Sequence, residues 1–182
     1  MTRITSKTSL QEIATLVSET LEAAGIPAVL GGGGAVSQYS DNEYMTTDLD
    51  FITVERNKTI ALIVAQLGFI LKGKDFYHPQ SNYFLEFPPG PLSFGDRYIE
   101  STETIKIETP FGMLRIITPT QCVLDRLAWF VHGNDLQAKD QALMVARRQD
   151  IGWADVYKWA NDEGIDDHII DELRVDSEAP QN

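Results

Sequence analysis

The chain has 182 residues, 43% of them hydrophobic, with a formal charge of −12; that is enough length to bury one core, the size of one domain with a small helical appendage. The negative balance argues against non-specific attachment to nucleic acid or to an anionic membrane, both held through clustered Lys and Arg, and favours a small cationic partner or a nucleotide carried with metal ions. One cysteine, Cys122, leaves no intrachain disulfide, no apolar signal region opens the chain, and the longest apolar-rich run, Ile60 to Leu71, is too short to span a bilayer; a reducing cytoplasm is the expected setting.

In chain order, Ser9-Leu10-Gln11-Glu12 reads as a capping box, and Ile13, Leu16, Val17 and Leu21 recur at helical spacing until Gly25 offers a stop. Ala28-Val29-Leu30 predicts a short strand running into Gly31-Gly32-Gly33-Gly34, and Ala35 to Tyr39 leaves room for a brief helix before the polar loop Ser40 to Thr47. Asp48 to Val54 reads as a second strand. Asn57 is placed to cap a helix through Leu67, with Gly68 as its stop and Phe69 to Leu71 extended beyond it. Tyr83 to Phe87 predicts a strand closed by Pro88 and Pro89, and Ile105 to Glu108 with Met113 to Ile117 predicts a hairpin.

From Thr118-Pro119 the pattern turns helical. Val123, Leu124, Leu127 and Phe130 make one apolar face; Ala142, Leu143, Val145 and Ala146 a second; Val156, Trp159 and Ala160 a third. The expected protein is α+β: a mixed β-sheet flanked by helices over residues 1–117, a helical C-terminal part over 118–176 packed on that core, and a polar, fraying tail over 177–182.

The glycine run and the pair Asp48-x-Asp50 carry the chemistry. Glycines let backbone N–H groups approach an anion, and two carboxylates one residue apart on a strand share a face. A P-loop needs Gly-Lys-Ser/Thr, whereas Gly34 is followed by Ala35-Val36. A dinucleotide fold finds Gly31-x-Gly33 and Asp50 about twenty residues on, but Val36 holds the third glycine position, the intervening stretch is too short for a crossover helix, and the acids begin their strand. The remaining arrangement is a strand, glycines and a short helix N-terminus holding phosphate, with a second strand whose paired carboxylates hold a divalent metal bridging to that phosphate. Thirteen residues separate Gly34 from Asp48.

At these residues the chain resembles the nucleotidyltransferase superfamily, the fold of DNA polymerase beta, whose signature is an apolar residue, Gly-Gly or Gly-Ser, a spacer and Asp-x-Asp. The glycine pair would be Gly33-Gly34, or Gly32-Gly33 with a longer spacer. The wider chain is similar to a bacterial branch of minimal nucleotidyltransferase-like proteins and distantly to abortive-infection nucleotidyltransferase toxins, through Asn82 to Pro88, Thr118 to Ala128 and Gln141-Ala142-Leu143. The resemblance implies transfer of a nucleoside monophosphate from a nucleoside triphosphate to an acceptor hydroxyl with Mg²⁺ or Mn²⁺. It assigns Asp48, Asp50 and Glu86 to catalysis and metal, and Gly31, Gly32, Gly33, Gly34 and Arg126 to the nucleotide. The serine that often follows the first signature glycine is glycine here, which leaves open a catalytically weak or inactive protein that binds a nucleotide or a partner, or one half of a toxin–antitoxin pair.

Each assignment has a plainer counterpart. Glu86 reads equally as an edge-strand carboxylate facing water and Arg126 as half of a surface ion pair; His132, Asn134, Asp135 and Lys139 line a cleft or serve as caps and solvated charges. Cys122 is expected in the core, and Trp129, Trp153 and Trp159 are expected to pack helices. The acceptor is a small cationic molecule, a tRNA end or a protein hydroxyl, Arg147-Arg148 being the one compact basic candidate for the larger partners.

Overall fold

A computed structural model describes residues 4–180. Helix α1 (Leu10–Ala23) starts where Ser9 accepts a hydrogen bond from the Glu12 amide, and it buries Ile13, Ala14, Val17 and Leu21. Strand β1 (Val29–Leu30), helix α2 (Gly32–Tyr39), strand β2 (Asp48–Ile52) and helix α3 (Asn57–Val64) follow, the last continued by one 3-10 turn to Leu67. Asn57 lies inside α3; Arg56 holds the cap position and makes no capping hydrogen bond. The expected brief helix begins three residues earlier than Ala35, so Gly32, Gly33 and Gly34 form its first turn. Close packing overrides the poor helix propensity of glycine there: a Cβ on Gly34 would lie 2.9 Å from Leu30 Cδ1 and 3.0 Å from Leu49 Cδ2.

Strands β3 (Ile70–Lys72), β4 (Asp75–Tyr77), β5 (Phe84–Glu86), β6 (Ser93–Phe94), β7 (Arg97–Tyr98), β8 (Ile105–Thr109) and β9 (Gly112–Ile116) complete the β structure. Seven strands form one mixed sheet in the order β3-β4-β5-β2-β1-β9-β8, and β6 and β7 form a separate hairpin. The β8–β9 hairpin meets expectation; β4 and the β6–β7 hairpin were not expected, because two or three residues are too few for alternation to show. In the centre β2 runs parallel to β5, with Asp48 opposite Phe84, Leu49 opposite Leu85 and Asp50 opposite Glu86. Leu49, Phe51 and Leu85 are fully buried on one face, and the strand's alternation puts Asp48, Asp50 and Glu86 on the other.

Helices α4 (Pro119–Gly133), α5 (Leu136–Ala146), α6 (Trp153–Asp162) and α7 (Asp167–Glu178) make the helical part. Thr118 and Gln121 close a reciprocal capping box around Pro119, which starts α4 where the sequence turns helical. α7 was not expected as a separate helix and extends into the segment expected to fray. The helical part is bonded to the sheet region where Gln149 Nε2 donates to the Tyr39 carbonyl at 3.0 Å. Among the described residues no helix is long and apolar enough to cross a membrane.

Trp159, 1% exposed, fills the contact between α6 and the β6–β7 hairpin and donates its indole N–H to the Phe94 carbonyl at 2.9 Å. Trp159→Phe leaves that buried carbonyl without its donor, so urea denaturation should show a loss of about 1–3 kcal/mol, with a further contribution from the vacated volume.

Candidate active site

Asp50 stands at the centre of the acidic face. The Gly31 amide donates to its backbone carbonyl at 2.9 Å, which draws the start of α2 over β2. Gly32 has φ +54°, and a Cβ there would fall 2.2 Å from Asp50 Oδ2. Glycine is therefore demanded twice, by backbone conformation and by contact with the carboxylate. No side chain caps α2, so its first N–H groups and the positive end of its dipole remain for an anion.

Burial pushes the Asp50 carboxyl up to about 6, and the charges of Asp48, Glu86 and Asp125 add to the rise against the opposing charge of Arg126. Among the described residues its side chain accepts no hydrogen bond. Asp48 accepts from the Thr46 hydroxyl. Glu86, 26% exposed, pairs with Lys74 Nζ at 3.1 Å, and Lys74, on the turn between β3 and β4, also lies 3.8 Å from Asp75. Glu86 is thus on an interior strand of the sheet, and its partner is an exposed lysine.

Arg126 reaches the site from α4. It is 9% exposed, donates to Asp125 Oδ2 from Nε at 3.2 Å and Nη2 at 2.7 Å, and donates to Gln141 Oε1 at 3.1 Å. The surface ion pair is therefore a buried one, and the guanidinium expected to reach a phosphate is engaged by protein groups.

A cavity of about 240 Å³ brings Gly31, Gly32 and Asp50 together with Ile52, Pro88, Asp125, Arg126 and Trp129. Gly33 and Gly34 are not part of its lining: both are buried, Gly33 against Tyr44 and Thr46. The glycine pair that meets the cavity is Gly31-Gly32, one or two residues before the pairs the signature suggested, because α2 starts within the run.

Several neighbouring expectations resolve. Asp135 caps α5 by accepting the Gln137 amide, Asn134 ends α4 in the left-handed conformation, and Lys139 pairs with Glu172 at 2.9 Å. His132 lines a second, wider groove and pairs with Glu163 at 2.9 Å. Cys122 is fully buried, and burial pushes its thiol up, so it packs and does not react. Trp153 and Trp159 pack helices as expected, but Trp129 is 56% exposed and faces the cavity. Sequence reasoning missed Lys74, Asp125 and Trp129; for the last two, the i, i+4, i+7 spacing of Asp125, Trp129 and His132 was the available signal of one helix face.

Among the described residues, no three acidic, histidine or cysteine side chains form a ready-made metal cage. Magnesium is commonly held by one or two carboxylates, the rest of its shell coming from substrate phosphates and water. Asp48 and Asp50 fit that donor set, and Asp50 in particular is a half-buried carboxylate surrounded by like charge and, among the described residues, with no hydrogen bond to relieve it.

The mixed sheet flanked by helices, with its helical C-terminal part, is a nucleotidyltransferase-like fold. Among solved structures the chain is similar to the lincosamide antibiotic adenylyltransferase LnuA with lincomycin bound, at 11% identity over 76% of this chain and 96% of that one, with a TM-score of 0.53. It is also similar to ANT(2'')-Ia in complex with adenylyl-2''-tobramycin, at 10% identity over 92% of this chain and 95% of that one, with a TM-score of 0.50. Neither a protein-family model nor a curated protein matches the chain.

Proposed function

We propose that this protein is a metal-dependent nucleotidyltransferase that moves a nucleoside monophosphate from a nucleoside triphosphate to an acceptor hydroxyl, the acceptor being a small cationic molecule. The observation that carries this reading is the side-by-side placement of Asp50 and Glu86 on β2 and β5, at the uncapped start of α2. Asp48 and Asp50 would hold Mg²⁺ or Mn²⁺, which when bound neutralises triphosphate charge and acidifies the attacking hydroxyl.

The chain's own groups do the rest. The uncapped first turn of α2, beginning at Gly32, holds a phosphate where the helix dipole favours negative charge. Ile52, Pro88 and Pro89 wall the cavity with apolar surface and limit water. Lys74 neutralises Glu86 in the free protein and would turn to phosphate oxygen on nucleotide binding. Glu86, thus released, takes the proton of the attacking hydroxyl. The acceptor oxygen forms a bond to the α-phosphorus, the bond from that phosphorus to the bridging oxygen breaks, and pyrophosphate leaves with the electron pair. Positioning and charge neutralisation supply most of the acceleration in such a transfer.

The test uses purified protein with each α-labelled triphosphate, Mg²⁺ and tobramycin, lincomycin or total cell extract. Labelled acceptor and released pyrophosphate are expected, and chelation of the metal should abolish both. Nucleotide binding without pyrophosphate release on any acceptor would instead make the protein a nucleotide-binding module.

A further inference from the structure

Beyond the carboxylate cavity lies a groove of about 730 Å³, between α4, the tip of the β6–β7 hairpin and the end of α6. The two share Ser93, Asp125 and Trp129 in their linings, so these residues stand where one opens into the other. Asp125, Trp129 and His132 lie along one face of α4. The opposite wall is locked: Glu163 Oε1 accepts the Asp96 amide at 2.7 Å and Oε2 pairs with His132 at 2.9 Å, joining hairpin, α6 and α4.

Asp125 is held unlike any other carboxylate of the site. Both Arg126 contacts fall on Oδ2, while Oδ1 accepts nothing among the described residues. Gln141 fixes the guanidinium from behind. A carboxylate 15% exposed is thereby fixed with one oxygen free at the junction. Beside it the Trp129 ring is 56% exposed, an unusual exposure for the largest apolar side chain unless something covers it. Asp96 and Asp162 extend the negative charge along the groove, which repels a triphosphate and attracts a base.

Resting on the nucleotidyltransferase reading, we propose that Asp125 is the acceptor-binding residue of this enzyme. Its free Oδ1 accepts a hydrogen bond from the hydroxyl-bearing end of a basic, hydroxylated acceptor whose body lies in the groove against Trp129. Arg126, held by Gln141, is the positioning residue that aims Asp125. The acceptor thus enters from the α4–α6 side while the triphosphate enters over α2, and the two meet at Asp50.

Calorimetry with tobramycin and with lincomycin, in the absence of nucleotide, tests this without requiring turnover. The wild-type protein should bind at least one of them, Asp125→Asn should weaken that binding by about 10- to 100-fold, the range of a charge-assisted hydrogen bond, and Trp129→Ala by about three- to tenfold. Trp129 is on the surface, so its variant tests the groove even if Asp125→Asn, which strands the Arg126 charge, fails to fold. In turnover the acceptor KM should rise far more than kcat falls. Wild-type protein that binds neither compound, or a Trp129→Ala variant that binds them as tightly as wild type, overturns the proposal. Weakened acceptor binding in a protein that transfers no label would support the groove assignment and refute the transferase reading.

Discussion

Replacing Asp50 with asparagine should abolish transfer and, at neutral pH, make the ligand-free protein more stable. The Asp50 carboxyl is raised from 3.8 to about 6, so folding disfavours its ionised form. The resulting destabilisation is complete above pH about 6, shrinks as pH falls through that value, and is gone only below about 3, where the group is protonated in folded and unfolded chains alike. A shift of about two units corresponds to at most about 3 kcal/mol, and partial solvent access reduces this, so Asp50→Asn should gain about 1–3 kcal/mol at pH 7.5 and only a small fraction of that at pH 4. Urea denaturation at the two pH values measures the difference. Transfer should fall by about a thousandfold or more, because in the proposed reaction the removed charge would hold the metal ion. A gain in stability paired with a loss of activity marks a group kept for function; a variant as active as wild type would remove Asp50 from the chemistry.

Gly32→Ala should be nearly as damaging to activity for a different reason. The substitution places a side chain at φ +54°, at a cost of about 1–2 kcal/mol, and sets a methyl 2.2 Å from where Asp50 Oδ2 stands. The carboxylate must swing away or the start of α2 must retreat, and either change separates the anion-binding amides from the acidic face. A misplacement of this size costs about a hundredfold in rate. Circular dichroism should remain that of a folded protein while binding of magnesium nucleotide weakens. Full activity in Gly32→Ala would mean that the glycine run serves packing alone.

The parts of the molecule written in local chemistry were readable in advance. Ser9 and Thr118-Pro119 mark helix starts through hydrogen bonds made within four residues, and Asp48-Leu49-Asp50-Phe51 alternates because its strand has one buried face. Parts decided by distant partners were not. The neighbour of Asp50 is settled by the β2–β5 register, which no short stretch encodes, so Glu86 could be assigned only through the family resemblance. Glycine is a poor helix former, so the helix was expected only from Ala35, yet Leu30 and Leu49 crowd Gly34 within the first turn of α2, where a side chain would have to push them aside. Arg126 was visible as a cation, but its engagement by Asp125 and Gln141 depends on the packing of α5 against α4. Trp129 read as a packing residue because exposure is a property of the assembled helices, and the hairpin that makes it a groove wall consists of two-residue strands too short to signal themselves.

Asp48 and Asp50, on β2 beside the start of α2, are proposed to seat a metal–nucleotide complex. Calorimetric titration of α,β-methylene analogues of the four ribonucleoside triphosphates into wild-type protein and into the Asp48→Asn/Asp50→Asn double variant tests it directly. Wild type should bind at least one analogue with Mg²⁺, lose most of that affinity when the metal is chelated, and lose it equally in the double variant with Mg²⁺ present. Binding of equal strength in the two proteins, or binding indifferent to the metal, would contradict the account.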